Sequence, residues 1–149
     1  MSVKKMMEAY TKSDHTNVVE GNDPVAIVAL LFDELIRSMQ DFVKHSDPKT
    51  GIPETKSRQF SRSLTIIYAL QSNLNFEDGG DIADNLFRLY EYGRQQLLQD
   101  WKEKTIDGSQ KAIAALDEIR DAWHQLSRQG VQPDMQPNVQ PNMQKGESE

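Results

Sequence analysis

The sequence predicts an all-α protein: an antiparallel four-helix bundle with a mobile N-terminal arm and a disordered C-terminal tail. Three observations carry this. Four segments repeat apolar residues at spacings of three and four, the period of a helix with one buried face. Glycine and proline are sparse inside those segments and cluster between them. No stretch alternates β-branched and polar residues as a half-buried strand would. Short turns between long helices favour antiparallel neighbours. The expected division is an arm over 1–22, a bundle over 23–128 and a Gln/Pro-rich tail over 129–149.

The arm is polar apart from Val3, Met6, Met7 and Tyr10, which would form a short apolar edge if the segment turned helical. So short a helix is not stable alone. Either it frays, or it docks its Met and Tyr side chains into a groove of the bundle. The first long helix is expected over 24–45. Asp23 is a good N-cap and Pro24 suits the first helical position. Val28, Phe32, Leu35, Met39 and Phe42 form its seam, and Ile27, Leu31 and Ile36 widen it. A face that wide implies two neighbours, or one neighbour and a bound partner. Asp33 and Glu34 read as the solvated edge of this helix.

After a loop containing Pro48, Gly51 and Pro53, the second helix is expected over 54–76, with Phe60, Leu64, Ile66, Ile67, Leu70 and Leu74 inward. Gly79-Gly80 reads as the tight turn into a third helix over 81–104, capped by Asp81. Its stripe is Ile82, Leu86, Leu89, Tyr90, Leu97, Leu98 and Trp101. Gly93, in its middle, is either a point of close backbone approach or a tolerated surface glycine. Asp107-Gly108-Ser109 makes the next turn. The fourth helix is expected over 108–127, with Ala112, Leu116, Ile119, Trp123 and Leu126 inward and Gly130 as a stop. Beyond it, Gln132-Pro133-Asp134-Met135, Gln136-Pro137-Asn138-Val139 and Gln140-Pro141-Asn142-Met143 are three copies of one unit. Proline at every fourth residue excludes helix and sheet ladder, so the tail is expected to be dispensable for the fold.

Composition narrows the function. A net charge of −6 argues against nucleic acid as the main partner. With no cysteine there is neither disulfide nor thiol chemistry. No run approaches the roughly 18 apolar residues of a membrane span, and residues 1–10 lack the apolar region of a secretory signal. The expectation is a cytoplasmic protein without membrane insertion. His15, His45 and His124 are scattered, and Asp121-x-x-His124 occurs once where a di-iron bundle needs two Glu-x-x-His pairs. No phosphate loop, nucleophile elbow or metal set is present, so no catalytic residue, cofactor or metal is expected, and a binding role is favoured over an enzyme.

Gly79-Gly80-Asp81-Ile82-Ala83-Asp84-Asn85-Leu86 followed by Leu89-Tyr90-Glu91-Tyr92 resembles the signature of the FliS family of flagellin export chaperones. Leu30-Leu31-Phe32-Asp33, Ile66-Ile67, Leu97-Leu98, Arg120-Asp121-Ala122-Trp123 and the N-terminal Tyr10 resemble further family motifs, in the same order, across residues 10–127. Three points depart from the pattern: Gly21-Asn22-Asp23-Pro24 at the entry to the first helix, Gln99-Asp100-Trp101 where the family has an Ala-Asn pair, and the Gln-Pro tail, which has no counterpart there. The resemblance implies a cytoplasmic chaperone that holds the disordered C-terminal segment of flagellin, prevents its premature polymerisation and delivers it to the flagellar type III export apparatus. Components of that apparatus are further candidate partners. On this reading Tyr10, Ile27, Leu31, Leu86, Leu89, Tyr90 and Tyr92 are candidate flagellin contacts. Phe32 and Leu86 are weighted towards the core. Tyr10 either covers the groove or clamps the bound segment, the clamp being favoured. The alternative is a helical-bundle adaptor that binds a flagellar regulator.

Overall fold

A computed structural model describes residues 3–11 and 23–131. Five helices account for them: α1 (Val3–Thr11), α2 (Pro24–Lys44), α3 (Pro53–Ser72), α4 (Phe76–Glu103) and α5 (Asp107–Val131). Helices α2 to α5 form the antiparallel four-helix bundle, and α1 packs on α4, α5 and α2 near one end of it. The expected tail beyond Val131, and arm residues 1, 2 and 12–22, lie outside the described residues.

Each long helix begins where local chemistry favours it. Asp23 accepts a hydrogen bond from the Val25 backbone N–H at 2.9 Å, with Pro24 at the first helical position. Pro53 likewise stands at the first helical position of α3, although Ile52 before it supplies no side-chain cap. The turn between α3 and α4 corrects the sequence reading. It falls at Asn73–Asn75, where Asn75 Oδ1 accepts the Asp78 N–H at 3.0 Å and caps α4. The Gly79-Gly80 pair lies one turn inside α4 and kinks it, Gly80 having φ 50 and ψ −126. A side chain would oppose that conformation. The α4–α5 turn is pinned by Asp100, which is buried. Its carboxylate accepts the Thr105 hydroxyl at 2.5 Å and the Ser109 N–H at 2.7 Å, so a residue of α4 caps the start of α5. Helix α5 then continues past Gly130, the expected stop, to Val131.

The core is continuous along the bundle. At one end Phe60 stacks on Trp101, ring centroids 4.4 Å apart, beside Phe42, with the Lys56 ammonium 5.4 Å from the Trp101 ring. Towards the other end Phe32 meets Tyr90 at 5.8 Å and Trp123 at 6.5 Å. Gly93 is buried, and its nearest neighbours are the side chains of Leu116 and Ile67. It is therefore neither a surface residue nor a point of close backbone approach. Asp33 and Glu34 are only half-buried, yet both tie helices together. Asp33 accepts from His124 Nε2 of α5 at 2.8 Å, and Glu34 accepts from Arg62 of α3 at 3.0 Å.

Candidate functional site

Helix α1 is held by the bundle rather than by itself. Its inward residues Met6, Ala9 and Tyr10 are all buried. Gly79 makes this possible. A Cβ at that position would stand 2.7 Å from the Ala9 Cα, closer than any real contact of that kind, so only glycine admits the α1 backbone. The Ala9 carbonyl, left open at the end of α1, accepts the Asn75 N–H at 2.6 Å. Both features of the α3–α4 junction thus serve the arm.

Tyr10 reaches deepest. Its ring meets Trp123 edge-on at 5.5 Å. Its hydroxyl lies 2.9 Å from the Leu70 carbonyl and 2.8 Å from the Tyr90 hydroxyl. A carbonyl can only accept, so Tyr10 donates to Leu70 and Tyr90 is left to donate to Tyr10. Burial pushes both phenols above their ordinary range, and the neighbouring Tyr90 adds to the rise at Tyr10. Both are neutral, as hydrogen-bonded phenols in an apolar core should be.

Beside Tyr10 a cleft of about 680 Å³ opens between the start of α2 and the end of α3. Ile27, Val28 and Leu31 line one wall; Ala69, Leu70 and Leu74 line the other. Phe76 and Glu77 close the floor from α4, and Tyr10 forms the boundary with α1. Ile27 is 41% exposed and Phe76 46%, so the cleft presents apolar side chains, set among polar groups that make up the larger part of its open surface. A second cleft of about 770 Å³, between α2 and α5, is polar. Within it Arg120 pairs with Asp117 at 2.9 Å and approaches Asp33 at 3.8 Å.

Of the candidate contact residues, Tyr10, Ile27 and Leu31 come together at the first cleft. The other four belong to α4 and do not line it. Leu86 and Tyr90 are fully buried, Leu89 is half-buried against the core, and Tyr92 is 38% exposed. Lining residues outside the candidate set include Ala69, Ser72, Asn73 and Phe76. They sit at a helix end whose position the glycine pair disguised.

A helical bundle with a cleft beside a separately docked helix has the layout that helix-in-groove recognition uses. The chain belongs to the FliS family. The family profile described as "Flagellar protein FliS" matches residues 6–130. The Flagellar secretion chaperone FliS of Vibrio cholerae is 31% identical over 120 residues, 80% of this chain and 87% of that one. The Salmonella typhimurium protein of the same name is 29% identical over 126 residues, covering 81% and 89%. The Flagellar secretion chaperone FliSB of Pseudomonas aeruginosa is 26% identical over 127 residues, covering 85% and 99%. The family supports a role as a flagellar export chaperone.

Proposed function

We propose that the protein is a cytoplasmic, non-enzymatic chaperone. It holds the C-terminal segment of flagellin, keeps it from polymerising, and presents it to the flagellar export apparatus. The observation that supports this best is the open cleft with apolar side chains bounded by Tyr10, Ile27 and Leu31 on a family member. A disordered segment that folds on binding loses several kcal/mol to its own ordering, so its partner must offer a large apolar surface. The cleft alone is small for that. Departure of α1 would add the seat of Met6 and Tyr10 and uncover Tyr90 and Trp123. Leu86, Leu89 and Tyr92 would then extend the surface along α4.

On this reading Tyr10 is a cover rather than a clamp in the free protein, because its hydroxyl and ring are already fully engaged within the bundle. Titration with a flagellin C-terminal peptide in a calorimeter tests both parts. Binding by the unmodified chain is expected, and Tyr10→Ala should tighten it by removing a competitor. Absence of binding by either chain would sink the proposal. Weakening by about 1 kcal/mol or more would restore the clamp.

A further inference from the structure

We propose that the chain's own C-terminal segment, residues 132–149, occupies the cleft beside Tyr10 when no partner is bound. The inference begins with position. Helix α2 starts, α3 ends and α4 starts at one end of the bundle, and α5 ends there too. The cleft borders Tyr10, whose ring centroid is 5.5 Å from that of Trp123 on α5. From Trp123 to the last residue of α5, Val131, is eight residues, about 12 Å at the helical rise. The segment that follows has 18 residues, and at the polyproline rise of roughly 3 Å each it spans about 55 Å. It reaches the cleft with chain to spare.

Its chemistry fits the cleft as well. The cleft is lined by Ile27, Leu31, Leu74 and Phe76 together with Asn73 and Ser72, and Glu77 is its one charged group among the described residues. Residues 132–144 carry one ionisable side chain, Asp134, in a chain that is 27% charged overall, and Lys145 follows them to meet Glu77. Met135, Val139 and Met143 recur every fourth residue. At three residues per turn the three project to successive sides of the segment, so one or another meets the cleft whichever way the segment lies. Methionine adapts its shape to an irregular apolar surface. The prolines restrict the free segment, so less conformational freedom is lost when it docks. The glutamines and asparagines between them can hydrogen-bond to Asn73 and Ser72. Being tethered, the segment binds as an intramolecular ligand at an effective concentration of the order of millimolar, so a weak contact is enough to fill the cleft.

The test uses the full chain with Met135→Ser, Val139→Ser and Met143→Ser together, compared with the unmodified chain by amide NMR. The expected result is a set of shift changes at Ile27, Leu31, Leu74 and Phe76, independent of protein concentration. A peptide of residues 132–149, added at millimolar concentration to the triple variant, should reverse them. No change at these four residues overturns the proposal, as do changes confined to other faces. Changes that vanish on dilution overturn it too, because they identify a second copy of the chain as the occupant. A second readout rests on the flagellin reading: the triple variant should bind the flagellin C-terminal peptide several-fold more tightly. The NMR result stands without flagellin, so failure of the peptide to bind either chain would sink the chaperone reading and leave the docking intact.

Discussion

Replacing Gly79 by alanine should unseat α1. The new methyl group would lie 2.7 Å from the Ala9 Cα and 2.9 Å from both the Ala9 and Ala83 Cβ atoms. None of these is the end of a flexible side chain, so relief must come from backbone movement. Overpacking of this kind typically costs about 1–3 kcal/mol. Here there is a cheaper escape, since α1 can leave, and its net docking free energy then caps the loss. The expected outcome is a fall in stability of about 1–3 kcal/mol by urea denaturation. Backbone amides of residues 5–10 should lose their protection from exchange. Two comparisons isolate the cause. In a chain lacking residues 1–11 the same substitution should cost much less, because only the Ala83 contact remains. Gly80→Ala meets no atom within 4 Å but must hold φ 50, so it should lose about 1–3 kcal/mol through backbone strain while α1 stays protected. Unchanged protection of residues 5–10 in Gly79→Ala would refute the role given to Gly79.

The Tyr10 hydrogen bonds give a second prediction. Tyr10→Phe strands the Leu70 carbonyl and the Tyr90 hydroxyl and should cost about 1–3 kcal/mol, whereas Tyr90→Phe leaves the bond to Leu70 in place and should cost less. Urea denaturation giving the reverse order would overturn the assignment of the two protons. Both phenols are raised in the folded state, so their contribution is whole below the unfolded value of about 10 and is lost as pH climbs through the folded values. Melting temperature should therefore fall above about pH 10, and less steeply in Tyr10→Phe. At the acid side Glu91 is held down to about 2 by its hydrogen bond to Arg94. Its contribution is present above the ordinary value of 4.5 and disappears as pH falls towards 2, so Glu91→Gln should flatten the acid limb. The effect should be small because both side chains of the pair are partly exposed to solvent. Gly93→Ala should stabilise by about 0.5–1 kcal/mol: it removes a helix-interior glycine. Its new methyl would sit 3.7 Å from Leu116 and 3.8 Å from Ile67, ordinary contact distances; a loss measured by thermal denaturation would show hidden crowding.

The helices were legible because each buries one face, and burial imposes a period that the sequence carries. Their ends were legible where a single residue does the capping, as Asp23 does. The α3–α4 junction was not. Two glycines look like a turn, but Gly79 answers to Ala9, 70 residues earlier, and no local pattern records such a neighbour. Asp100 read as a departure from the family pattern, although it holds the next turn together. Core and cleft also use the same alphabet. Ile27 and Leu31 reach the cleft, while Leu86 and Tyr90 at similar spacing are fully buried. Apolar periodicity tells which residues avoid water, not whether the neighbour is the same chain or another.

The two ends of the bundle differ in how firmly they are closed. One is fastened by the Asp100 bridge, the stacked Phe60–Trp101 rings and the bond from the Ile52 N–H to His45 Nδ1. The other depends on α1, a short helix held by the Asn75–Ala9 backbone bond and by the Tyr10 hydroxyl and ring. Separation of the helices should therefore start at the second end and stop before the first, like a clothes peg with a stiff spring. On the proposed chaperone reading such a device would impose an order on traffic. A captured chain would enter at the loose jaw and would be peeled away from the same side, so a force applied there releases it progressively, whereas an equal force along the bundle must break every contact together.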